Sequence, residues 1–163
     1  MADPVICAVA RTPVGKFRGA LQNYSATELG TLAVTELLER VGIDASTGII
    51  DEVLFGQVLQ AGAGQAPARQ VAIGAGLPHS TPCTTINKVC GSSLKAVMIA
   101  ASAIRAGEYE VVIAGGMESM TNSPHFGQKT GRDEYGDMKS VMIHDGLWDG
   151  YNDQHMGNTG EKV

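Results

Sequence analysis

Between Leu94 and Ile104 the sequence reads LKAVMIAASAI, with only Lys95 and Ser102 polar. As a helix this run is apolar over most of its circumference, which marks a helix packed from several sides. A small α/β unit with one helical layer would bury one face and leave another bare. The run therefore requires a second layer, which need not lie within this chain. Immediately before it, in INKVCGSS, Cys90 occupies a short polar elbow. Gly91 lets the backbone turn tightly, and Ser92 and Ser93 are residues that cap helices.

Up to Gly116 the chain alternates strand and helix patterns, the signature of a layered α/β sheet. PVICAVA (Pro4–Ala10) is a short β-branched run and reads as a buried strand, which places Cys7 in the core. YSATELGTLAVTELLERVG is the clearest helix. Ser25 and Glu28 have capping-box spacing, Leu29, Leu32, Ala33, Leu37 and Val41 form an inward stripe, and Gly42 fits the stop. IIDEVLFGQV reads as the next strand. QAGAGQAPARQVAIGAGLP is a glycine-rich loop and then a helix with Pro67 in its first turn. CTTIN is a short strand opened by Cys83, a helix over Ser92–Ala106 follows, and YEVVIAGG is another buried strand. Beyond Gly116 glycine recurs every few residues without sustained period, so 117–163 reads as an excursion of loops and short helices.

Hydrophobic residues make up 44% of the 163-residue chain and charged residues 18%, a globular balance. The net charge of -5 leaves no basic surplus to neutralise phosphates, so a nucleic-acid partner is not expected. Cys7, Cys83 and Cys90 are spread and odd in number. That fits a reduced, cytoplasmic setting better than a disulfide framework, and no CxxC pair suggests zinc; no metal is assigned. The N-terminus lacks the basic start of a signal peptide, and no apolar segment is expected to reach the roughly 18 residues of a membrane span. Gly62-x-Gly64 lacks the third glycine of a dinucleotide fingerprint and lies far from the first strand.

Cys90 is the candidate nucleophile. A thiol just ahead of a helix meets free N–H groups and the positive end of the helix dipole, which favour a thiolate. A strand–elbow–helix that presents a nucleophile is a recurring device for acyl transfer. The plainer alternative is an inert structural cysteine.

INKVCGSSLKAVMIAASAI resembles the nucleophile segment of the thiolases. RTPVGKFRGAL, GQVLQAGAGQAPARQ, VVIAGGMESMTNSPH and DGYNDQHMGNTGEKV resemble further segments of that family, in its order, from near Pro4 to Val163. AGGMESM is most similar to the acetoacetyl-CoA type. The resemblance implies a thiolase-like layered α/β fold, with a mixed, largely parallel sheet, helices on both faces and a loop domain. Residues 1–116 would be the nucleophile domain and 117–163 the start of the loop domain. It implies an acyltransferase that condenses two acetyl-CoA or cleaves 3-ketoacyl-CoA through a Cys90 acyl-enzyme, with the Cys90 N–H in an oxyanion hole. Leu147, His155 and Met156 match positions that line the acyl and pantetheine pocket. Coenzyme A and acetyl-CoA would be substrates, with no tightly bound cofactor, no membrane partner, and a homo-oligomer, dimer or tetramer, as the parent assembly. The charged segment HFGQKTGRDEYGDMKS matches an excursion that joins dimers, and Arg69 and Gln70 lie in a region near the subunit contact.

Thiolases are more than twice this length, and their later half carries a catalytic Asn, a Gly-His-Pro histidine and a second Cys. LPHS and SPHF are not that motif, and no cysteine follows Cys90. The chain is therefore expected to be an N-terminal portion, inactive alone. Two other readings stay open: a non-catalytic module with this fold, and a cysteine hydrolase, which would need a histidine base within this chain.

Overall fold

The computed structural model describes residues 3–163. Helix α1 (Ala26–Val41) starts with a reciprocal capping box. Ser25 Oγ accepts the Glu28 N–H at 3.2 Å, and the Glu28 carboxylate accepts the Ser25 N–H at 2.7 Å. Gly42 closes it at φ 65°, a left-handed stop suited to glycine.

Strand β1 (Glu52–Gly56), helix α2 (Pro67–Gly74), strand β2 (Cys83–Ile86), helix α3 (Ser92–Ala106) and strand β3 (Val112–Gly116) follow. The three strands form one sheet in the order β2-β1-β3, and both pairings are parallel. The expected sheet was largely parallel, and all three strands here are parallel; among the described residues, antiparallel pairs are found in the later excursion. The central strand β1 is buried at all five positions. Val53 and Phe55 share a core with α1 and α2, whereas Leu54 packs with Ala96 and Ala100 of α3. Successive side chains of a strand point to opposite faces, so helices cover both faces of this sheet.

Three readings are corrected. Pro4–Ala10 forms no ladder. Val5 and Ile6 are 78% exposed and Cys7 is exposed, not core. A groove of about 550 Å³, lined by Val9, Leu29, Ala33, Leu37, Ile113 and Met117 among others, lies between this segment and the sheet. β-branched composition favours extended backbone but does not supply a partner strand. On α1, the buried face is Ala26, Gly30, Val34 and Leu38, one position round from the predicted stripe. Leu29, Ala33 and Leu37 line the groove, and Leu32 and Val41 are exposed. The helix is apolar on two faces, and packing chose the one with Gly30. A Cβ there would stand 2.8 Å from Val71 Cγ2, so its absence lets α2 approach.

The third correction concerns apolar length. Val89–Ala106 has a mean hydropathy of 1.3 and does meet the length and composition of a membrane span. In the fold its small residues Ala96, Ala100 and Ala103 are buried, while Leu94 and Met98 are 65% and 54% exposed. The bare outer face is the one the sequence marked as wanting a second layer.

Residues 117–163 form loops and short pieces, as read. Strands β4 (His125–Phe126) and β5 (Lys139–Ser140) pair, a π-helical turn spans Met142–Leu147, β6 (Trp148–Asp149) pairs with β7 (Gln154–His155), and α4 covers Met156–Gly160. Asn122 Nδ2 ties the excursion to the entry of α1, donating to the carbonyls of Gln22 at 3.0 Å and Tyr24 at 2.8 Å.

Candidate active site around Cys90

Between β2 and α3 the chain reverses within a few residues, and side chains lock the turn. Asn87 Oδ1 accepts the Val89 N–H at 3.0 Å. Ser92 Oγ accepts the Lys88 N–H at 2.8 Å and donates to the Val89 carbonyl at 2.6 Å. Val89 stands at φ 47°, a left-handed conformation unfavourable for a β-branched residue. Such strain persists only where the surroundings over-determine it, and it clusters at functional sites. Cys90 comes next and is exposed. Gly91, not a serine, is the N-cap, because the Ser92 hydroxyl is committed to the elbow.

The elbow sits over the C-terminal ends of the strands, where parallel sheets bind ligands. Two glycines let it come so near. A Cβ on Gly56 would stand 2.7 Å from Ser92 Cβ and 2.8 Å from the Ser93 nitrogen. Gly116 similarly leaves room for Ser93. A cavity of about 360 Å³ opens here, lined by Val58, Leu59, Val89, Cys90, Met117 and Leu147 among others. Its walls are largely apolar, and none of its lining residues is a histidine.

Glu118 stands on the same lining, half-buried, and binds backbone N–H groups at the end of β1. Oε2 accepts from Val58 at 2.9 Å, and Oε1 from Leu59 at 3.3 Å. Burial raises its carboxyl above the usual range, and those two hydrogen bonds oppose the rise. Gln57 is 2% exposed; its Nε2 donates to the Leu59 carbonyl at 3.0 Å, and its Oε1 has no partner among the described residues.

Of the residues singled out from the sequence, Leu147 lines the cavity with Cys90, and His155 and Met156 do not. His155 Nδ1 accepts the Gly157 N–H at 3.0 Å, which leaves Nε2 to carry the proton of the neutral ring. Met156 opens α4 and is 39% exposed. Arg69 donates to the His79 carbonyl, and Gln70 Nε2 to the carbonyls of Ala63 and Gln65, so both brace loops of their own chain. Cys83 is half-buried, and its thiol is pushed up by burial, with Arg69 opposing and Glu52 adding. The sequence reading missed Gln57, Val89 and Glu118. The one local signal was an acid two residues after the glycine-ended strand β3.

Comparison with known proteins gives this geometry its context. The family described as thiolase, N-terminal domain, matches residues 4–163. A probable acetyl-CoA acetyltransferase of Escherichia coli is 52% identical over 167 residues, covering 100% of this chain and 42% of the relative. The acetyl-CoA acetyltransferase of Cupriavidus necator is 54% identical with the same coverage. A mitochondrial acetyl-CoA acetyltransferase of Xenopus laevis is 50% identical and is covered to 38%. The chain thus spans about two-fifths of the length of these relatives. The crystal structure of Acat5 thiolase from Ascaris suum in complex with coenzyme A superposes with a TM-score of 0.85 at 38% identity, covering 94% of this chain and 40% of that one. With an N-terminal thiolase match along nearly all of its length, and a solved thiolase that shares its fold, this chain belongs to the thiolase family.

Proposed function

We propose that this chain is the nucleophile-bearing part of an acyl-CoA acyltransferase of the acetyl-CoA acetyltransferase type. The observation that carries the proposal is Cys90: an exposed thiol on a strained, side-chain-locked elbow beside a mostly apolar cavity. The Cys90 thiolate attacks the acyl thioester carbonyl, a carbon–sulfur bond to Cys90 forms, and coenzyme A leaves as its thiol after taking up a proton. The Cys90 N–H contributes to the oxyanion hole. Leu147 packs against the acyl group, and His155 and Met156, which lie off this cavity, contact the pantetheine part of the acyl-CoA from the loop domain, residues 117–163. The acyl-enzyme then passes its acyl group to a second acetyl-CoA or, in reverse, to coenzyme A. Coenzyme A is bound as substrate, and the assembled protein is a homo-oligomer.

The second step needs a base for the α-carbon of the second acetyl-CoA. No residue lining the cavity is a histidine, which supports placing that base outside these residues and disfavours a self-contained cysteine hydrolase. The same observation favours, as a second reading, a non-catalytic module when the chain acts alone.

Incubation of the complete polypeptide with acetyl-CoA, followed by peptide mapping, is the test. The acetyl group is expected on Cys90 and not on Cys7, although both thiols are exposed. An acyl-enzyme that survives Cys90→Ala would overturn the assignment. Residues 1–163 alone are expected to show no thiolysis of acetoacetyl-CoA.

A further inference from the structure

One wall of the Cys90 cavity is built at an energetic cost that packing alone does not explain. Val58 and Leu59 follow β1 and line the cavity together with Val89 and Cys90. Leu59 is held through both of its backbone groups. Glu118, 59 positions along the chain, takes its N–H at 3.3 Å and also the Val58 N–H at 2.9 Å. Gln57 Nε2 donates to the Leu59 carbonyl at 3.0 Å. The Leu59 side chain is 5% exposed and abuts Gly146, where a Cβ would stand 3.1 Å from Leu59 Cδ2. Gly146 precedes Leu147, so the position of Leu59 sets how closely that turn approaches the cavity.

Both holding groups carry a burial cost where they stand. The Glu118 carboxylate is partly stripped of water, and Gln57 Oε1 is buried without a donor among the described residues. Desolvated or unpaired polar groups of this kind are disfavoured unless something else retains them.

We propose that Glu118 and Gln57 are positioning residues, which hold the Val58–Leu59 backbone so that the cavity accepts the acyl part of the substrate beside Cys90. The proposal rests on the acyl-transfer reading of Cys90. Neither side chain takes part in bond making; both act through Leu59.

The test uses the complete polypeptide with Glu118→Gln and, separately, Gln57→Met. Glu118→Gln keeps one acceptor and loses the charge that binds two N–H groups. The KM for acyl-CoA is expected to rise about tenfold, the size of losing a charge-assisted hydrogen bond, with kcat within about twofold. Gln57→Met should move KM the same way by a smaller factor. Alkylation of Cys90 by iodoacetamide needs no acyl pocket and should keep its rate. The Tm of Glu118→Gln should change little, since removing a desolvated charge offsets the lost N–H acceptor. A purely structural role would instead lower Tm, alkylation rate and kcat together, and that result overturns the proposal. So does an unchanged KM in a wild-type background that acylates Cys90. A wild-type protein whose Cys90 takes no acyl group overturns the acyl-transfer reading and this proposal with it. If Glu118→Gln does not fold, Gln57→Met decides by the same criteria.

Discussion

Single polar side chains do much of the long-range tethering in this chain. Asp51 is an instance remote from the cavity. Its carboxylate accepts the N–H groups of Glu110 at 2.7 Å and Val111 at 2.9 Å, tying the entrance of β1 to that of β3. The Val111 bond, then the Glu110 bond, holds its carboxyl below the usual range. A folded-state pKa below the unfolded value means that the native state gives up the proton more readily. The resulting stability is present above the unfolded pKa, about 3.9 for Asp, and is lost as pH falls through the lower folded value. Asp51→Asn should therefore lower Tm at pH 7, modestly because the group is mostly solvated, and the gap should narrow below about pH 4. Melting curves across pH 2–8 check this, and a gap that stays constant down to pH 2 contradicts it. Glu118 has the opposite sign. Burial raises its carboxyl, so its ionisation weakens the fold as pH rises through the folded value.

At the scale of elements, α3 and the strand ends must approach to within contact of backbone atoms. Gly56→Ala is expected to push α3 off β1, because its Cβ would meet Ser92 Cβ at 2.7 Å and the Ser93 nitrogen at 2.8 Å. Overpacking of this kind costs about 1–3 kcal/mol. The elbow should move with the helix, so Cys90 alkylation should change as well. Gly150→Ala, where a Cβ would meet nothing within 4 Å, is the control. Equal chemical denaturation midpoints for the two variants would refute the argument. These elements also mark where the sequence was legible. The capping box at Ser25 and Glu28, the span Ser92–Ala106 and the strand runs around Glu52–Gly56, Cys83–Ile86 and Val112–Gly116 are local signals present in the structure, whereas the Pro4–Ala10 run is not a strand. The two-faced helix α1 was not legible, because its apolar residues satisfy the helical period in either orientation. Nor was the grip of Glu118 on Leu59, since a contact across 59 positions leaves no local pattern. The cysteine elbow was readable from Cys90, Gly91 and the apolar run. Its strain was not, because valine is a residue no turn rule would place at φ 47°.

At the scale of the whole molecule, the described residues leave apolar surface bare in three places that belong to different elements. The outer face of α3 exposes Leu94, Val97 and Met98. The N-terminal segment exposes Val5, Ile6 and Val9. Between that segment and the sheet lies the groove, beside β3, whose backbone pairs with β1 alone among the named strands. An unpaired strand edge offers N–H and C=O groups to any extended chain, and contiguous apolar patches beyond a few hundred Å² mark contact surfaces. The relatives carry more than half of their length beyond the part matched here. The 163-residue chain is therefore expected to self-associate and to bind a hydrophobic dye, with loss of both on adding a C-terminal segment such as its relatives carry. Sedimentation velocity with dye titration makes the measurement. A monodisperse monomer that unfolds cooperatively and binds no dye would mean that these faces are closed in solution. The second layer demanded by the Leu94–Ile104 run would then have to be supplied by the chain itself.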